Sequence, residues 1–135
     1  MTIQVAVLCD AATEYNGKLN LLGTFDTLYV PQLPAQHPQC SVATRIAFER
    51  VEEGPHQLSI HFVDEDGHPM IEPTETAVDV AFPPDAIFIS RNFIVSFQQM
   101  QFQTTGLYSV NVFLDDHPLC SIPLAVKKVV EKKEP

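Results

Sequence analysis

Apolar and polar residues alternate along most of this chain. In Tyr108-Ser109-Val110-Asn111-Val112-Phe113-Leu114 large apolar residues hold every second place, and in Val42-Ala43-Thr44-Arg45-Ile46-Ala47-Phe48 they hold it with Thr44 as the one polar member. A period of two puts one class on each face of an extended strand. The pattern predicts strands over Ile3–Cys9, Lys18–Val30, Ser41–Arg50, Gln57–Asp64, Glu75–Phe82, Arg91–Phe102, Leu107–Asp115 and Leu119–Lys128. The faces expected inward carry Ile3, Val5, Val7 and Cys9 in the first strand, and Val42, Thr44, Ile46 and Phe48 in the third. No stretch keeps a helical period beyond one turn after Asp10, where Asp is a good N-cap. Asn16-Gly17, Asp66-Gly67 and Asp115-Asp116-His117-Pro118 supply turn chemistry, and three prolines make a loop of Pro31–Gln39. Gly23 marks a bend or bulge, and Pro123 marks the last strand as an edge or a bulged strand.

The expected fold is therefore all-β: a single antiparallel β-sandwich of about eight strands, immunoglobulin-like or jelly-roll-like in build. It fills residues 1–126, and a charged tail follows over 127–135. The length suits one domain, and 45% hydrophobic residues suffice for a core without metal or disulfide. The faces expected outward are unusual. They offer Ala6 and Leu8, Ala43 and Ala47, Ala77 and Ala81, where a solvated sheet carries more charge. Small apolar residues there predict a covered face, through a homo-oligomer or a protein partner.

Charge narrows the partners. The net charge is −9, and residues 1–126 hold only Lys18, Arg45, Arg50 and Arg91 as cations. Nucleic-acid binding needs a basic footprint, which this body lacks. No apolar run reaches the roughly 20 residues of a membrane helix, so no membrane partner is expected. The start, Met1-Thr2-Ile3-Gln4, has no signal-peptide pattern. Cys9, Cys40 and Cys120 are odd in number and show no paired spacing, which predicts free thiols in a cytoplasmic protein.

Several motifs in order resemble a family of small bacterial proteins of unknown function. They are Val5-Ala6-Val7-Leu8-Cys9-Asp10-Ala11-Ala12, the Gly17–Asp26 segment with its Gly-Lys-Leu-Asn-Leu-Leu-Gly-Thr-Phe-Asp pattern, His37-Pro38-Gln39, Phe62-Val63-Asp64-Glu65-Asp66-Gly67, and the hairpin from Gly106-Leu107-Tyr108 to Pro123-Leu124. The resemblance implies a β-rich domain and brings no activity, substrate or catalytic residue.

The candidate chemistry is sparse. Cys9 beside Asp10 suggests a nucleophile, but a reactive thiol needs a nearby cation or a helix N-terminus. Alternation instead makes Cys9 a buried residue. His61, Asp64, Asp66 and His68 are all ligand types within eight residues, without the Asp-x-Asp-x-Asp-Gly spacing of a calcium loop. A structural turn is expected there, and these four are the residues to follow for a metal. An up-and-down strand order would gather Asp10, Glu14, Glu52, Glu53, Asp85, Asp115 and Asp116 at one end and Asp26, Asp64, Glu65, Asp66 and Glu72 at the other. The absence of Trp argues against a carbohydrate platform. The expectation is a non-enzymatic binding or assembly module, without catalytic residues or cofactor, acting through an outer sheet face or an edge strand. The alternatives are a Ca²⁺-binding sandwich with acidic loops and a small enzyme with a cleft near Cys9 or the His-rich loop.

Overall fold

The computed structural model describes residues 1–129. Nine strands and one short 3-10 turn follow in order: β1 Thr2–Tyr15, β2 Lys18–Phe25, β3 Thr27–Val30, β4 Ala35–Glu49, the turn Arg50–Glu52, β5 Gly54–Val63, β6 Thr74–Val80, β7 Phe88–Phe102, β8 Gly106–Leu114 and β9 His117–Lys128. They form two sheets, ordered β2-β1-β4-β7 and β3-β9-β8-β5-β6. The all-β sandwich is borne out. Its pairs are antiparallel with one exception, since β3 runs parallel to β9. No helix among the described residues is long and apolar enough to cross a membrane. The last strand reaches Lys128, two residues into the segment read as a tail, and residues 130–135 lie outside the described residues.

The inward alternation builds the core. Phe48, Phe62 and Phe102 are the largest fully buried side chains, joined by Leu58, Ile60, Val110, Val112, Leu114, Leu124 and Val126. Burying a side chain of this size contributes about 1.5–3 kcal/mol. The rings of Phe62 and Phe97 meet edge to face at 5.6 Å, and those of Phe102 and Tyr108 at 5.0 Å.

Where the structure departs from the simple pattern, each departure has a local cause. The predicted long second strand divides at Asp26, where the chain leaves one sheet for the other. Asp26 accepts from the Thr27 hydroxyl at 2.9 Å, and its carbonyl accepts from Ala125 N at 2.8 Å. The loop predicted over Pro31–Gln39 shrinks to Pro31–Pro34, because β4 already begins at Ala35. Opposite its Pro38, Gln99 takes a positive φ of 53°, so that Met100 and Phe102 turn inward after Phe93, Val95 and Phe97. Pro123 sits in a strand flanked on both sides, but β3 pairs only with Ala125–Lys128, so β9 is an edge at that point.

The first strand corrects the reading most. A register shift between Ile3 and Val5 inserts one residue against β4, and an inserted residue reverses every later side chain. Leu8 therefore joins the core with Ala6 packed beside it, while Val5, Val7 and Cys9 face the other way. The helical turn expected after Asp10 does not form, since β1 continues to Tyr15. It does so bent. Val5 pairs with Arg45, yet Arg45 also donates to the carbonyl of Gly17, at the tip of the β1–β2 hairpin, at 2.9 Å. A straight strand would carry that tip about 33 Å beyond Val5. The hairpin folds back at Asp10 and Gly23 and lies over the outer face of its own sheet.

Candidate functional site

The hairpin explains one of the two small-residue faces. Gly23 has a φ of +67°, and a Cβ there would lie 2.4 Å from Asp10 Oδ2, so the fold-back needs glycine at that point. At the tip, Asn16 and Gly17 have φ values of 51° and 75°, as a two-residue hairpin turn demands. Asn92 of β7 donates to Glu14 Oε1 at 3.0 Å and to the Gly17 carbonyl at 3.1 Å. Arg45 is held further by Gln4 at 2.9 Å and by Asn92 Oδ1 at 2.8 Å. Beneath this ribbon Cys9 and Ala43 are fully buried and Ser41 nearly so. The covering of the Ala43 face is thus intramolecular, which corrects the expectation that a partner supplies it.

Burial silences the cysteines, under the hairpin for Cys9 and elsewhere for the other two. Cys9 Sγ faces the Ser41 carbonyl at 3.7 Å. Burial, then the Asp10 carboxylate, pushes its thiol up. Burial also pushes Cys40 up to about 11, and it raises Cys120. A thiolate is the nucleophile, so all three move away from reactivity.

The predicted ligand group is brought together in part. Asp64, Asp66 and His68 converge, with ligand atoms within 4.8 Å of one another. His61 does not join them. It points outward from β5 and packs edge-on against Phe113 at 5.0 Å. Asp64 Oδ1 already accepts from the backbone N–H of Asp66 and of His68, each at 2.9 Å. The bond from His68 N–H, then the others, holds its carboxyl below the usual carboxylate value. This is a braced turn in which the half-buried Asp64 Oδ2 faces His68 Nδ1 at 3.5 Å, with Asp66 and His68 exposed beside it. Next to it, Glu65 Oε1 accepts from Leu107 N at 2.7 Å.

The acidic loops sort differently from the up-and-down expectation. Asp115 reaches His56 and Gln57 N, and Glu52 meets the Met1 ammonium at 2.7 Å. Arg50 donates to the carbonyls of Pro83, Pro84 and Ala86, which holds the loop with Asp85 at the same end. Asp10 and Glu14 leave this group, because the folded hairpin carries them over the sheet.

The second outer face has no such cover among the described residues. Pairing places Leu107, Ser109, Asn111 and Phe113 of β8 outward, with Ser59, His61 and Val63 of β5 and Ser121, Pro123 and Ala125 of β9; Leu107, Ser121 and Pro123 are exposed, Ser59 is buried among its neighbours and the rest are half-buried. None of these ten carries a carboxylate, ammonium or guanidinium, and Leu107 is 54% exposed. Two shallow hollows open on this face. One of about 430 Å³ lies against Phe113, Leu119 and Ser121, and one of about 470 Å³ against Leu107, Ala125 and Lys127. Sequence reading singled out Ala77 and Ala81 at the margin and missed this centre. The signal was present in the alternating Leu107–Phe113 segment, whose outward members are uncharged.

Comparison with known proteins adds a family. The sequence profile described as "Family of unknown function (DUF6941)" matches residues 4–127. No curated protein matches the chain. Among solved structures, an immunoglobulin-like protein from Pseudomonas aeruginosa shares 14% identity over 93% of this chain and 95% of its own, with a TM-score of 0.44. A glycosyl hydrolase family 2 member from Bacteroides cellulosilyticus shares 16% identity over 67% of this chain, at a TM-score of 0.42. The matched part spans only 13% of that hydrolase. Both are likenesses of general build and nothing more.

Proposed function

We propose, for a chain that belongs to this family of unknown function, DUF6941, a non-enzymatic binding or assembly module that docks a protein on the outer face of its five-stranded sheet. The observation that carries the reading is the uncharged centre of that face, ten outward positions on β9, β8 and β5, in a chain of net charge −9. Solvated faces carry charge, and interface centres are depleted of it. The other sheet offers a comparison within the molecule. Its outward Cys9, Ser41 and Ala43 are also small and uncharged, and a ribbon of chain covers them. A non-enzymatic role is supported by the raised thiols and by the commitment of Asp64 to its own turn. A cytoplasmic setting is supported by three cysteines left as free thiols.

The test is a photo-reactive side chain placed at Asn111 or at Ser109, irradiated in the cells that make the protein. A covalent adduct of defined mass is expected from both positions and none from Lys18 on the hairpin tip. Failure of both face positions to form any adduct, with the variants folded, contradicts the reading.

A further inference from the structure

We propose that the occupant of this face is a second copy of the chain, packed across a two-fold axis; the inference rests on the docking reading above. The rim of the face supplies the argument. At one corner, Lys127 points outward from β9 beside the exposed Tyr29 of β3, with Lys128 next in the chain. At the diagonally opposite corner, Glu75 and Asp79 point outward from β6, paired with Ser59 and Pro55 of β5. Between the corners lies the uncharged centre. Three carboxylates lie near the basic corner: Asp64 braces its turn, Glu65 accepts from Leu107 N, and Asp66 is exposed on the same turn.

A face with a basic corner, a neutral middle and an acidic far corner is complementary to itself. A two-fold axis lying in the contact plane and crossing the strands sets the Lys127 corner of each copy over the Glu75–Asp79 corner of the other. Such a contact is isologous and closes at two copies. Among the described residues the ion pairs are Met1–Glu52, His56–Asp115 and His68–Asp64, and none uses a lysine. The three arginines bind neutral oxygens, as Arg45 does at Gly17, Arg50 at Pro83 and Arg91 at Asp79. At the spacing of strands and of alternate residues, the face from Lys127 to Asp79 measures about 15 by 40 Å. Two such faces bury roughly 1,200 Å², the low end for specific interfaces, which fits a dimer that dissociates on dilution.

Sedimentation equilibrium of the full chain, from about 1 to 300 µM at low and high salt, tests this. The expected result is a monomer–dimer equilibrium that weakens at least about tenfold in high salt. Lys127→Glu with Lys128→Glu weakens it by about tenfold or more, as does Glu75→Lys with Asp79→Lys, and an equimolar mixture of the two variants regains pairing. Thermal melts confirm that both variants fold. A monomer at every concentration overturns the inference, and so does a dimer indifferent to both charge reversals. Cross-linking from Asn111 keeps the two readings apart. An adduct with the mass of two chains supports the dimer. An adduct to a different protein, or to residues 130–135 of the same chain, overturns it, and the different-protein adduct leaves the docking face standing. Absence of any adduct from Asn111 and from Ser109 overturns both.

Discussion

His56 sits between two acceptors. Its Nδ1 lies 2.5 Å from Asp115 Oδ2, and its Nε2 lies 2.5 Å from the Glu52 carbonyl. The Glu52 carbonyl can only accept, so Nε2 donates to it, and Nδ1 donates to the Asp115 carboxylate when the ring is protonated. The Glu52 carbonyl, then the Asp115 carboxylate, raises its pKa above the ordinary 6.5. A raised pKa contributes stability that is complete below 6.5 and is lost as pH climbs through the folded value. Asp115 is shifted down, chiefly by His56, so its share is lost only as pH falls through its lowered value. Urea unfolding at a series of pH values is therefore expected to show wild-type stability falling above about pH 6.5. His56→Gln loses that slope and about 1–3 kcal/mol below it; parallel profiles for the two proteins would contradict the clamp. Nothing local in the sequence marks this clamp, because His56 and Asp115 meet only through the pairing of β5 with β8. Gly23 is the second telling residue. Gly23→Ala costs about 1–3 kcal/mol, from a positive φ and a clash with Asp10. Asp10→Ala in the same chain recovers part of that loss, and a purely additive pair of losses would show that the two residues do not meet.

At the scale of elements, the hairpin of β1 and β2 acts as a cover latched at its tip. Asn92→Ala removes the bonds to Glu14 and Gly17 and is expected to speed thiol-reagent labelling of Cys9 several-fold, read peptide by peptide. Cys40, which lies between the sheets, keeps its wild-type rate. Equal acceleration of both would mean general loosening rather than an opened cover. The strands themselves were legible, because each buries one face and a period of two follows from that. The turns were legible as well, since Asn16-Gly17 and Asp115-Asp116 adopt the positive φ values of two-residue hairpin loops. The bends were not. A one-residue bulge at Ile3–Val5 leaves no compositional trace, yet it exchanges the faces of Leu8 and Cys9. Cys9 was expected to be buried, and it is, but under the hairpin instead of between the sheets.

At the scale of the molecule, two sheets close on one core and differ in what covers their outer sides. The four-stranded sheet is covered by its own hairpin. The five-stranded sheet presents an uncharged centre with Lys127 at one corner and Glu75 and Asp79 at the other. An outer face built to be covered was legible in the sequence from its alanines. Which face remains open was not, because that depends on the fold-back at Asp10 and Gly23. The claim that the open face is covered in the cell is tested most directly by cysteine accessibility. Asn111→Cys, with Lys18→Cys as the exposed reference, is labelled with a maleimide in permeabilised native cells and again as dilute purified protein. The account predicts that Asn111→Cys is protected in the cells and labelled when purified and dilute, while Lys18→Cys is labelled in both. Equal labelling of Asn111→Cys in both settings would contradict it.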